Sequence, residues 1–386
     1  MSKASSALKH PSVSTPSGSA GAPPTFSEIA IAIDRARRRG RGAQSNASGR
    51  FEAEARVTFD DGWQSLDDLP PFKTAVAVDA ARKVITRNDS PDIGFDRSIN
   101  PYRGCEHGCI YCFARPTHAY LGLSAGLDFE SKLFIKPDAP ALLEKELAAP
   151  GYEPKMIAIG TNTDPYQPIE REQKIMRGIL EVLERAGHSV GIVTKSALVT
   201  RDIDILARMA SRNLAKVALS VTSLDPKLAR AMEPRASTPP KRLEALRQLS
   251  AAGIPTTVMV APVIPALNDA EIERILDSAA HAGVREASYV LLRLPLEVRD
   301  LFREWLMAHY PDRYRHVFTL IREMRGGSDY DSQWGTRMKG TGPMAWMIGR
   351  RFEMACEKLG LNKRRAKLTM DHFVRPPRGG EQLSLF

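Results

Sequence analysis

The chain has 386 residues, 43% hydrophobic and 26% charged, with only four cysteines. That length allows one large α/β domain with flanking segments or two smaller domains. Four cysteines exclude a disulfide scaffold, and no uncharged apolar run approaches the ~18 residues a membrane span needs. The formal net charge of +10 is carried by the ends. Residues 1–50 hold eight Lys/Arg against two Asp/Glu and residues 361–386 hold six against two, which leaves 51–360 formally neutral. Any electrostatic grip on nucleic-acid phosphates would begin at those two tails.

In chain order, residues 1–50 read as a disordered basic arm, rich in Ser, Pro and Ala up to Pro24, with a short helix candidate over Phe26–Arg39. This start lacks the continuous apolar stretch of a secretory signal, so a cytoplasmic protein is expected. Residues 51–96 mix apolar residues with turn signals at Asp61-Gly62, Pro70-Pro71 and Ser90-Pro91, which predicts an irregular N-terminal extension.

From 97 to 295 short β-branched runs alternate with helical periods. Strands are expected at Ser98–Tyr102, Leu133–Lys136, Met156–Gly160, Ser189–Thr194, Lys216–Val221, Thr256–Val263 and Ala287–Leu292. Helices are expected at Ala139–Ala148, Glu170–Ala186, Thr200–Ser211, Pro239–Ala252, Asp269–Ala282 and Glu297–His309, three of them stopping at Gly187, Gly253 or Gly283. The pattern predicts an α/β fold, a partial or full (β/α) barrel whose ligands sit at the carboxyl ends of its strands. Residues 296–360 are expected to form a helical C-terminal extension carrying a Gly-rich aromatic loop, Arg325 to Gly335, that covers the barrel mouth or makes a surface turn on Tyr330 and Trp334. Residues 361–386 are expected to be a basic flexible tail.

Three of the cysteines crowd into Cys105-Glu-His-Gly-Cys109-Ile-Tyr-Cys112, directly after the first barrel strand. Three thiolates on one short loop can each hold one iron of a cubane cluster and leave the fourth iron open. A zinc site completed by His107, His118 or Cys356 is the alternative, although structural zinc more often uses paired C-x₂-C knuckles.

The motif, with Tyr111 before its last cysteine, resembles that of the radical S-adenosylmethionine (SAM) superfamily. The runs Asn100-Pro-Tyr-Arg-Gly, Thr163-Asp164-Pro-Tyr-Gln-Pro-Ile-Glu170 and Val193-Thr194-Lys195 are similar to the spore photoproduct lyase-like (DNA repair photolyase-like) branch. The resemblance implies a [4Fe-4S] cluster on Cys105, Cys109 and Cys112. SAM would chelate its open iron and be cleaved by one electron to methionine and a 5′-deoxyadenosyl radical that abstracts hydrogen from substrate. It also implies a reductant such as flavodoxin or ferredoxin. By the same resemblance, Tyr111, Thr163, Asp164, Lys195, Ser220 and Thr222 are SAM contacts, Lys195 pairing with the carboxylate, and Val263, Ile264 and Asn268 flank adenine.

Two positions depart from that branch. Thr161 stands where the lyase has its hydrogen-returning cysteine, and Phe113 follows Cys112 where a tyrosyl relay would stand. The scaffold therefore does not promise the lyase reaction, and the catalytic residues and substrate, a nucleic-acid component among the candidates, stay open. A nucleic-acid-binding protein with a structural or redox-sensing cluster is the competing reading. The terminal Gln382-Leu-Ser-Leu-Phe386 resembles short sliding-clamp-binding peptides.

Overall fold

The computed structural model describes residues 33–52 and 71–377. Its main sheet has seven strands in the order β10-β9-β8-β7-β6-β3-β2. These are β2 (Ile85–Arg87), β3 (Arg97–Ile99), β6 (Ile157–Ile159), β7 (Val190–Thr194), β8 (Ala215–Ser220), β9 (Thr256–Val263) and β10 (Glu286–Leu291). Every neighbouring pair from β3 to β10 is parallel, and only β2 runs antiparallel, on β3. β10 does not return to β2, so the sheet is an open partial barrel.

Burial explains the strand composition. β6 (Ile-Ala-Ile) is buried throughout and β7 (Val-Gly-Ile-Val-Thr) nearly so, as expected of parallel strands covered on both faces. Helices Ile175–Arg185, Ile203–Ser211, Pro239–Ala251 and Ile272–His281 supply the outer layer, placing Ile179, Leu206, Leu246 and Ile275 in one core with Ile192, Leu219 and Val258. Leu219 is fully buried, and truncating it to Ala would cost about 2–5 kcal/mol.

Several expectations change, beginning with residues 51–96, expected to be irregular, which contribute a strand to each of two sheets, Ala75–Val78 and Ile85–Arg87. Leu133–Lys136 is a strand (β5, Lys132–Ile135), but it belongs to a separate three-stranded sheet with β1 (Ala75–Val78) and β4 (Tyr102–Arg103). The reason lies in the pairing: β3 takes β6 as its parallel neighbour, so the whole stretch between them, cysteine loop included, forms an excursion off the sheet. The helix expected over Glu170–Ala186 is two helices, Glu170–Gln173 and Ile175–Arg185, broken at Lys174 with φ +53°. Glu170 causes the break. Its buried carboxylate accepts the Met176 N–H and is held by Tyr102 and Arg201, so it caps a second helix instead of continuing the first.

The helix expected over Phe26–Arg39 is turn where described, at 35–40, and residues 26–32 lie outside the described residues. Beyond it, residues 41–45 are buried against the main domain, unlike the free arm expected over 1–50. Helices Tyr314–Glu323 and Gly342–Leu359 follow Glu297–His309. Among the described residues no helix is long and apolar enough to cross a membrane.

Candidate active site at the carboxyl edge of the sheet

The carboxyl ends of β6, β7 and β8 face the cysteine loop. Gly160, just after β6, makes that approach possible: φ is +87°, and a side-chain carbon there would stand 2.0 Å from the Val193 carbonyl oxygen. The next loop is gathered by Asn100, whose Oδ1 accepts the N–H groups of Asn162 and Thr163 at 3.0 and 3.4 Å. Thr161 contacts the same side chain at 3.3 Å.

Cys105, Cys109 and Cys112 are free thiols, the first two buried and the third half-buried. Burial pushes the Cys109 thiol up to about 12, with Glu233 adding to the rise and Lys195 opposing it. Cys105 is also raised well above its ordinary value, by burial first, then by Asp164 and the two neighbouring thiols. A thiol that burial holds neutral can serve a metal only by giving up its proton to it.

Among the described residues no three His, Cys, Asp or Glu converge on a point fit for a single metal ion. His118 Nε2 lies 2.9 Å from the Lys132 carbonyl, and Cys356 sits in the helix Gly342–Leu359 beside Asn362. Three cysteines on one short loop are a donor set in which each could hold one iron of a cubane.

The six other candidate residues fall into two groups. Asp164 Oδ1 accepts the Tyr166 N–H at 2.9 Å and the Thr194 hydroxyl at 2.7 Å, while Oδ2 accepts the Lys195 N–H at 2.7 Å and faces His107 Nδ1 at 3.3 Å. Burial works to raise its carboxyl, but His107, Thr194 and Lys195 outweigh burial and bring it down to about 2. Asp164 therefore ties the β6 and β7 loops to the cysteine loop. Thr163 is buried and donates to the Tyr102 carbonyl at 2.9 Å.

The second group surrounds a residue that sequence reasoning missed. Glu233, after the helix Pro226–Met232, is buried and accepts the Tyr111 hydroxyl, the Thr222 hydroxyl at 2.6 Å and the buried Arg242 guanidinium. Burial would raise its carboxyl, yet Arg242 and then Lys195 hold it below its ordinary range. Arg242 also donates to the Ser220 carbonyl at 3.0 Å, so Tyr111, Ser220 and Thr222 are joined through this pair. Lys195 is half-buried, with Nζ 5.7 Å from the Tyr111 ring centroid, and makes no ion pair among the described residues. Val263 and Ile264 are buried, and Asn268 donates to the Thr222 and Pro262 carbonyls at 2.7 and 3.0 Å, joining the ends of β8 and β9. Charged residues at helix ends read as solvated from sequence, which is why Glu233 and Arg242 escaped notice.

The loop after Arg325 is pinned to the last strand by Leu291 N–H to the Met338 carbonyl at 2.9 Å and by Arg325 to the Leu292 carbonyl at 2.8 Å. Arg293, beyond β10, lies 4.9 Å over the exposed Phe113 ring and 3.4 Å from the Tyr330 hydroxyl. Trp334 is exposed and makes no hydrogen bond or ring contact among the described residues.

A family model described as Radical SAM superfamily matches residues 99–279. An uncharacterized protein of Mycobacterium tuberculosis (strain ATCC 25618 / H37Rv) is 38% identical over 229 residues, 58% of this chain and 67% of that protein. An uncharacterized protein of Methanocaldococcus jannaschii is 28% identical over 237 residues, 61% of this chain and 84% of the relative. Among solved structures, spore photoproduct lyase complexed with dinucleoside spore photoproduct aligns with a TM-score of 0.52 at 17% identity, covering 74% of this chain and 80% of that one. A mutant of that lyase with bound AdoMet and the same dinucleoside also aligns with a TM-score of 0.52. At such identity the likeness is one of fold.

Proposed function

The chain belongs to the radical SAM superfamily, and on that footing we propose that it binds a [4Fe-4S] cluster through Cys105, Cys109 and Cys112 and abstracts hydrogen from its substrate. The observation that carries this reading is the meeting of three buried or half-buried thiols with polar strand ends at one edge of a parallel sheet. When bound, the reduced cluster supplies the electron that cleaves SAM.

The chain's own residues do the rest. Lys195, a cation without an ion-pair partner among the described residues, stands beside the cysteines where it can pair with the carboxylate of SAM. The Glu233–Arg242 pair holds Tyr111 and Thr222 in fixed rotamers, so the cofactor meets a wall that needs no reorganisation. Asp164, which accepts three hydrogen bonds from the β6 and β7 loops and faces His107 at 3.3 Å, keeps those loops at their spacing from the cysteine loop.

Radical SAM enzymes need an external reductant, and a flavodoxin or ferredoxin of the cytoplasm is the partner we propose. A nucleic-acid component is the substrate class to test first, because the fold neighbour holds a dinucleoside and the basic excess lies at the chain ends. The terminal Gln-Leu-Ser-Leu-Phe, outside the described residues, would recruit the enzyme to a sliding clamp. Thr161 bars return of hydrogen by the lyase route, since its O–H bond is too strong to give up a hydrogen atom to a carbon radical at that position.

The test is anaerobic reconstitution. The protein should take up about four irons and four sulfides per chain and form 5′-deoxyadenosine with SAM and a strong reductant. Deuterium carried into 5′-deoxyadenosine from labelled DNA or RNA would identify the substrate. Zinc at tetrahedral sulfur in place of iron would overturn the reading.

A further inference from the structure

The cysteine loop is gripped by a side chain that has no role as a ligand. Arg115 is fully buried. Its Nε donates to the Cys109 carbonyl at 2.9 Å, Nη1 to the Ala125 and Gly126 carbonyls at 3.1 and 3.0 Å, and Nη2 to the Gly108 carbonyl at 3.2 Å and to Glu130. A fully buried guanidinium is tolerable only when its donors are satisfied and its charge is paired, and Arg115 meets both conditions.

Glu130 is equally buried and faces two ways. Besides Arg115, its carboxylate accepts the N–H groups of Gly42 at 2.8 Å and Ala43 at 2.9 Å. The chain at Gly42 touches the cysteine loop so closely that a side-chain carbon there would stand 1.9 Å from the Gly108 carbonyl oxygen. Arg41 continues the fastening, donating to the Glu130 and Phe72 carbonyls and to the Thr74 hydroxyl.

The carbonyls of Gly108 and Cys109 point at Arg115. A trans peptide turns its N–H opposite to its C=O, so the Cys109 N–H is directed away from the guanidinium. Among the described residues that N–H has no acceptor, whereas the next one, at Ile110, donates to the Met232 carbonyl at 3.0 Å.

We propose that Arg115 and Glu130 are the positioning pair of the cluster site. Arg115 sets the peptide orientations inside the Cys105–Cys112 loop, and Glu130 straps residues 41–43 across it. The strap keeps water from that side of the cysteines, and the Cys109 N–H is left to bond a cluster sulfur, which raises the reduction potential. This inference rests on the cluster assignment made above.

The experiment compares reconstituted full-length protein with Arg115→Met, Glu130→Gln and Gly42→Ala, thermal unfolding serving as the control for folding. The readouts are the half-life of bound iron against a chelator and the midpoint potential from a reductive titration followed by electron paramagnetic resonance. Arg115→Met should release iron about 10–100-fold faster and titrate at a lower potential. Gly42→Ala, which lifts the strap and leaves Arg115 in place, should release iron about 10-fold faster. If Arg115→Met does not fold, Gly42→Ala and Glu130→Gln decide, and faster iron loss in both supports the pair. Folded variants with the iron half-life and potential of the parent overturn the proposal alone. A parent protein that takes up no cluster overturns the cluster assignment and this proposal with it.

Discussion

Two loops meet at the carboxyl edge of the sheet, and they are built in opposite ways. In the cysteine loop, Cys105 to Ile110 are buried, two carbonyls are held by Arg115, and a carboxylate ties a second segment across it. In the loop 326–340 no residue is buried, and Trp334 is 59% exposed. Ion pairs at Asp329 and Arg337 and a few backbone bonds are its anchors. Ordering a long side chain costs entropy that a pair with one partner half exposed, such as Arg322–Asp329, barely repays, whereas a satisfied buried network defines one geometry. Under the proposed function, the cysteine side would hold a fixed cofactor and the 326–340 side would be free to vary with substrate.

The largest effect should follow from removing a thiol. Cys109→Ala is expected to lose both the cluster and 5′-deoxyadenosine formation, read from iron content and product analysis; normal SAM cleavage in that variant would erase the distinction between the loops. Next comes the Glu233–Arg242 pair. Arg242→Met leaves a buried carboxylate uncompensated and should cost about 3–5 kcal/mol in denaturant unfolding. An equal cost for breaking Arg322–Asp329, whose arginine is half exposed, would refute the comparison.

Asp164 gives a smaller effect with a pH signature. Its folded value of about 2 lies below the ordinary 3.8, so the native state binds its proton later than the unfolded chain does. Its stabilisation is complete above about pH 4 and is lost as pH falls toward 2, a contribution of about 2 kcal/mol. Asp164→Asn should remove that amount at neutral pH and flatten the stability curve across that window. A curve as steep as that of the parent would show that Asp164 is not the group responsible.

The sequence made the repeating βα pattern legible because parallel strands buried on both faces must be apolar runs, and because helices stopped at Gly187, Gly253 and Gly283, all of which have positive φ. The cysteine loop was legible because its three cysteines fall within eight residues of sequence. What stayed hidden is set by contacts between distant segments. Glu130 reaches Gly42 across 88 positions, and Glu233 meets Tyr111 across 122, separations over which no local pattern survives. Glu170 reads as an ordinary first-turn residue, yet Tyr102 and Arg201 draw it inward and break the helix. Lys132–Ile135 reads as one more barrel strand because propensity does not encode which neighbour a strand will take.

The two remaining substitutions separate the loops most cleanly. Lys195→Ala removes a charge that forms no ion pair among the described residues and supports the Glu233 carboxylate only second to Arg242, so unfolding should change little while SAM affinity falls about 10-fold, measured by equilibrium binding to the reconstituted protein. Unchanged affinity would take Lys195 out of the site. Trp334→Ala should do least of all: a largely exposed ring contributes within about 0.5 kcal/mol, and iron content and SAM cleavage without substrate should match the parent. A loss of iron in Trp334→Ala would mean that the open loop supports the cluster after all, and that the division between a rigid cofactor side and an adaptable substrate side is drawn in the wrong place.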